Sequence, residues 1–262
     1  MAHRLPFPLP WGHGSVGHFA DSHAERLIVF VHGFAGTATR TWRGMEALLA
    51  EPGVQAADVI FYGYGSLAAP ARNSAALFLE MLTACAEQQR PWQHALFRAG
   101  APGTRNYSDI LIIAHSLGAV VARRALLDAI ADHRPWVGDS RLLLFGPAHM
   151  GTRLIELKKM LRSGVGSILA DLFTFASLKM PVLDDLDRGS PFLRDLAHES
   201  EAALAAGLTQ PVRAEGVVFG ERENVVVTDP FCQDPRATVW QGEDHCSVCR
   251  VPRTIAEVAR HL

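Results

Sequence analysis

Little in this sequence points toward a membrane span, a nucleic acid or a disulfide framework. The four cysteines, Cys85, Cys232, Cys246 and Cys249, are too few and too unevenly placed to staple a chain of 262 residues. The net charge of only -2 leaves no basic face for a phosphate backbone, so no nucleic-acid partner is expected. No apolar run approaches the roughly 18 residues a transmembrane helix requires, and contact with lipid is limited to a membrane surface. The opening stretch is broken by Pro6, Pro8 and Pro10 and lacks the apolar core of a signal peptide, which makes a cytoplasmic location the expectation. A metal site is not expected. His245 followed by Cys246-Ser-Val-Cys249 is half of a zinc site with no second ligand pair, and these cysteines read as packing residues ahead of a redox-sensitive pair.

With 48% apolar and 20% charged residues the composition is that of a single globular domain near the upper size for one core. Strand-like runs fall at 26–31, 58–62, 109–114, 141–145, 216–219 and 237–240, most of them rich in Val, Ile, Leu or Phe on both faces. Helical spacing of apolar residues occupies 45–50, 74–88, 119–131 and 254–262. This alternation predicts an α/β fold with a mostly parallel sheet of about six strands flanked by helices. Residues 90–107 read as a loop with one short helix. Residues 153–210 are too long for a simple crossover. No repeat or low-complexity segment is present, and nothing marks an oligomeric state. The Pro-rich start and Trp11 receive no assignment.

The run Ile110-Leu-Ile-Ile-Ala-His-Ser-Leu-Gly118 is a buried strand entering a tight turn with Ser116 at its apex, and an apolar helix follows at once. A serine on a strained strand-to-helix turn projects its hydroxyl above the sheet, provided the residues two before and two after it are small. Ala114 and Gly118 meet that demand. Earlier, Val31-His32-Gly33-Phe34-Ala35-Gly36 closes the first long strand with glycines that let backbone amides swing toward such a serine. Acyl transfer needs fixed N–H donors for the developing oxyanion, and Phe34 and Leu117 are the expected pair. His32 then supports the loop.

Taken with Thr41-Trp42, Phe61-Tyr62-Gly63-Tyr64, Pro147-Ala148-His149-Met150-Gly151-Thr152 and Asp244-His245, these motifs occur in the order that resembles the α/β-hydrolase superfamily, and within it the lipase-like serine esterases. The resemblance spans most of the chain. It implies a sheet whose second long strand pairs outside the first while the third to sixth continue on the other side, with the site at their C-terminal ends. The superfamily order of nucleophile, acid and base makes His245, after the last strand, the expected base, with His149 its main rival. The acid is expected after the strand at 216–219, where relatives often carry Asp in a Gly-x-x-Asp-x-Val-Val run. Here Glu223 takes that place, and Glu221 and Asp229 are the alternatives.

The resemblance implies hydrolysis of carboxylic esters through Ser116, Glu223 and His245 with no cofactor, acting on a small-molecule or lipid ester. The alternatives are acyl transfer or thioester hydrolysis on the same residues, or an idle binding module that kept the fold. Within the single domain 1–262, the Leu-, Met- and Phe-rich stretch 153–208 is expected to form a helical cap over Ser116, lined by Leu154, Leu157, Leu161, Leu169, Leu172 and Phe173.

Overall fold

The computed structural model describes residues 3–21, 23–101, 105–153, 155–157 and 180–262. Leu154, Leu161, Leu169, Leu172 and Phe173 of the expected cap lie outside the described residues.

Six parallel strands form the body of the sheet: β3 (Arg26–Val31), β4 (Ala57–Tyr62), β5 (Asp109–His115), β6 (Ser140–Phe145), β7 (Gly216–Gly220) and β8 (Thr238–Trp240). Two short strands precede them, β1 (Phe7–Pro8) and β2 (Val16–His18). The sheet order is β1-β2-β4-β3-β5-β6-β7-β8, with the first two strands antiparallel at the edge. The expected count of about six strands is therefore corrected to eight among the described residues. Strands of two and three residues carry no readable period, and Pro8 lowers the β signal further. Pro8 is tolerated because β1 is an edge strand with no further ladder to feed.

The central strands run next to one another because their side chains are apolar in both directions. Alternation along β5 sends Ile110, Ile112 and Ala114 into one apolar cluster and Leu111 and Ile113 into the other. The first cluster is covered by α1 (Ala71–Ala86) and α3 (Leu117–Ala131), which pack on each other. Beside them lies α2 (Arg90–Arg98), whose Trp92 meets Trp11, Phe19 and Tyr107. The second cluster lies under a 3-10 turn (Met45–Ala50) and a helix at the end of the chain (Pro252–Arg260), through Trp42, Met45, Leu48 and Val258.

Within the stretch 153–208, residues 155–157 are helical and Leu157 is buried. Among the described residues that follow are the helices α4 (Pro181–Asp185) and α5 (Pro191–Ala205), and the helix near the end of the chain is α6 (Pro252–Arg260). Ser190 caps α5 by accepting from the Leu193 amide at 3.2 Å, and α5 packs against α3. Arg123 of α3 is fully buried. Its ion pair with Asp234, 2.6 Å, and its stack over Phe231, 4.7 Å, fasten the segment between β7 and β8 to α3. No described helix is long and apolar enough to cross a membrane.

Candidate active site

Ser116 sits between β5 and α3 with φ +55° and ψ −122°, a conformation that side-chain-bearing residues rarely adopt. Backbone bonds hold it there: its amide donates to the Phe145 carbonyl at 3.0 Å, and its carbonyl accepts from Ala119 at 3.0 Å and Ala148 at 3.3 Å. The glycine at 118 is required by the neighbouring strand. A Cβ there would lie 2.5 Å from the carbonyl oxygens of both Val31 and His32. Gly33 is packed as closely from the other direction, since its Cβ would lie 2.7 Å from that of Ser116. The two loops expected to supply oxyanion amides thus touch at the serine.

Leu117 is the first residue of α3, so its amide is one of the helix-terminal donors with no intrahelical acceptor. Phe34 follows a peptide unit pinned from behind. The Gly33 carbonyl accepts from His32 Nδ1 at 2.8 Å and from the Gly36 amide at 3.0 Å. In a trans peptide C=O and N–H point in opposite directions, so the Phe34 amide is turned away from those donors. His32 is fixed in one tautomer: the Tyr64 amide donates to Nε2 at 3.2 Å, leaving the proton on Nδ1. The Tyr64 hydroxyl donates to the His32 carbonyl at 2.8 Å, and the two rings stack at 4.4 Å. Burial lowers the His32 pKa to about 4, against a smaller opposing effect of its bond to Gly33, so the ring is neutral at ordinary pH.

His245 lies beyond β8 with its ring turned back to the elbow. Its Nε2 is 3.0 Å from Ser116 Oγ and its Nδ1 is 2.8 Å from Glu223 Oε2. A carboxylate can only accept, so Nδ1 carries the proton and Nε2 accepts from the serine hydroxyl. The other carboxylate oxygen of Glu223 accepts from the Val225 and Val226 amides at 2.8 and 3.0 Å. Burial pushes the Glu223 carboxyl up, but its bond to His245, the charge of that ring and the two amides outweigh burial and leave its pKa below the ordinary carboxylate value.

Ser116, His245 and Glu223 are therefore joined in one hydrogen-bonded chain. The alternatives for the acid lie elsewhere: Glu221 accepts from the Gly242 amide at 2.9 Å, and Asp229 pairs with Arg188 at 3.1 Å on the surface. His149 faces α3, with Nε2 3.1 Å from the Ala119 carbonyl and its ring stacked on Phe231 at 4.6 Å. Gly146 was not singled out by its sequence context. It has φ +51°, and a Cβ on it would reach 3.2 Å from His245 Nδ1 and 3.5 Å from Glu223 Oε2. A glycine directly after a buried strand, in a family of motifs that already uses close backbone approach, was the available signal. Among the described residues no group of three or more His, Cys, Asp or Glu side chains is placed to hold a metal. Burial pushes the Cys249 thiol up to about 12 and raises that of Cys246.

No protein-family model and no curated protein sequence matches the chain. Solved structures do match, over nearly the whole length. The peroxisomal alpha-beta-hydrolase Lpx1 of Saccharomyces cerevisiae aligns with a TM-score of 0.57 at 13% identity, covering 94% of this chain and 80% of that one. The mature lipase BlEst2 of Bacillus licheniformis aligns at 0.54 and 14% identity, covering 99% and 98%. The naproxen esterase of Bacillus subtilis aligns at 0.53 and 13% identity, covering 98% and 90%. The chain has the α/β-hydrolase fold.

Proposed function

We propose that this protein is a serine hydrolase of carboxylic esters, of carboxylesterase or lipase type. The observation that carries the reading is the continuous path from Ser116 Oγ through the His245 ring to Glu223, with spans of 3.0 and 2.8 Å. Hydrogen bonds of that length in that order are what an activated nucleophile needs. Fold alone does not select a reaction, and the same scaffold carries many.

In this reading Ser116 Oγ attacks the ester carbonyl carbon while His245 Nε2 takes its proton. The carbonyl oxygen, now negative, is held by the Phe34 and Leu117 amides. Glu223 keeps the proton on Nδ1 and stabilises the imidazolium. His245 then protonates the departing alkoxide, leaving an acyl group on Ser116. Water enters, His245 removes its proton, and the carboxylic acid leaves as the serine is restored. No step requires a cofactor.

The acyl side is assigned to the apolar surface around Leu157, one of the described residues of the stretch 153–208. Leu157 is buried in the same apolar cluster as Phe34 and Leu117, and Thr152 and Arg153 tie the start of that stretch to Leu186 and Val225 at 2.9 and 2.7 Å. The substrate class is a small-molecule or lipid ester with an apolar acyl chain. The test is turnover of p-nitrophenyl esters of graded chain length by the wild type and by Ser116→Ala. Turnover that disappears in a folded variant supports the reading, and turnover that survives removes it.

A further inference from the structure

The strand alternation that buries β5 puts His115 on the face opposite Ala114, the side covered by α6 and by Trp42. There the ring lies under the loop that carries His245. The His115 Nε2 is 2.8 Å from the His245 carbonyl oxygen, so Nε2 carries the proton and donates it. The two imidazoles are 4.8 Å apart and tilted by 44°. His115 Nδ1 has no partner and is completely buried, and a Cβ on Gly33 would come within 3.0 Å of it. Leaving a buried ring nitrogen unpaired costs stability, so the histidine is a poor choice for packing alone.

The peptide unit that begins at the His245 carbonyl ends at the Cys246 amide. That amide donates to Asp244 Oδ1 at 2.9 Å, and the same oxygen accepts from Ser247 at 2.8 Å. Carbonyl and amide of one trans peptide point in opposite directions, so His115 and Asp244 grip the unit from its two sides. A plane held at both ends fixes the Cα–C bond of His245 and so narrows the directions in which the imidazole departs from the backbone. Thr41 steadies the far end of the loop, where its carbonyl accepts from Arg250 Nε at 3.2 Å.

We propose that His115 is a positioning residue: with Asp244 it clamps the peptide unit after His245 and so aims the base at the serine next to His115 in the chain. One residue then links the nucleophile turn to the base loop. The inference rests on the triad reading above, because it is the geometry of that base that the clamp serves.

The experiment compares the wild type with His115→Phe, which fills the ring's space without a donor, and His115→Gln, whose amide NH2 can reach where Nε2 stood. The clamp predicts that the Phe variant loses roughly tenfold to a hundredfold in kcat with KM little changed, and that the Gln variant recovers most of the loss. A folded Phe variant with wild-type kcat overturns the proposal, as does a Gln variant no better than the Phe one. A second readout does not depend on turnover. The low-field Nδ1 proton resonance of His245 is expected to shift or broaden in the Phe variant and return in the Gln variant, and an unchanged resonance overturns the clamp. Should the Phe variant fail to fold, ring nitrogen–proton correlations in the wild type decide: a proton on His115 Nε2 supports the clamp, and a proton on Nδ1 alone refutes it. A wild type that cleaves no ester would sink the hydrolase reading while the two resonance measurements still judge the clamp.

Discussion

Gly146 backs onto His245 so closely that a Cβ added to it would stand 3.2 Å from the Nδ1 atom that bonds Glu223. A methyl there would press on the imidazole, which would have to give by a few tenths of an ångström. Gly146→Ala is expected to lower ester turnover by roughly tenfold through displacement of the ring. The backbone at φ +51° adds a destabilisation of about 1 kcal/mol. Urea unfolding and kcat measured on the same preparation check both effects. Wild-type turnover would show that the ring tolerates the methyl.

Glu223 is distinguished from its neighbours by what it touches. Glu223→Gln is expected to cost at least about a hundredfold in kcat with little change in KM, because an amide supports the wrong imidazole tautomer. Glu221→Gln and Asp229→Asn should stay within a few-fold of wild type, since both side chains bond away from His245. Steady-state kinetics of the three variants ranks them. A larger loss at Glu221 or Asp229 would move the acid.

Tyr64 bears on the same site from the far side of His32. Tyr64→Phe removes the donor to the buried His32 carbonyl and is expected to cost about 1–2 kcal/mol of stability. The ring stack survives in the variant, so the effect on kcat should be smaller than that of His32→Ala, which frees the Gly33 carbonyl behind the Phe34 amide. Chemical denaturation and kcat of both variants test the ordering.

Three buried histidines set a direction for stability with pH. Burial lowers the pKa of His32 to about 4 and pulls His115 and His149 well below the ordinary 6.5; the nearby His245 and Arg123 charges add to the shift at the latter two. In the unfolded chain all three return to about 6.5 and bind protons there. Their contribution to folding is therefore complete above that pH. It falls as the pH drops below 6.5, for His32 down to about 4. Urea midpoints should decrease from about pH 8 to pH 5, and His32→Gln should flatten the slope. A midpoint that rises on acidification would contradict the neutral, buried assignment.

The parallel body of the sheet was legible because it is written in uninterrupted apolar runs. The apolar run 26–31 coincides with β3, and β5 runs one residue beyond its apolar run, to His115. Helix α1 begins earlier than its apolar spacing suggests, directly after Pro70, and ends before Gln88, whose φ is +51°. Helix α3 begins at Leu117 because the strained turn passes into the helix without a linker. The hairpin of β1 and β2 was not legible: its strands are too short for a period, and its pairing with β4 is a tertiary matter.

At the candidate site, motif and order single out Ser116 and His245, which the fold brings within 3.0 Å of each other. They do not choose between Glu221 and Glu223, because both lie in one turn. The proposed choice of Glu223 rests on long-range packing: Gly220 comes so near the Glu243 carbonyl that a Cβ would stand 2.5 Å from it, and the Val225 and Val226 amides receive the Glu223 carboxylate. Gly146 is not legible in the sequence for the same reason, since His245 and Glu223 are distant in the chain.

The most direct test of the account is covalent capture. A fluorophosphonate that mimics the tetrahedral intermediate should form one adduct per chain, mapped by peptide mass spectrometry to Ser116, with loss of ester turnover in step with labelling. Ser116→Ala should take up no label while unfolding at the wild-type temperature. Labelling at another residue, or full ester turnover after Ser116 is blocked, would contradict the claim that this serine is the nucleophile.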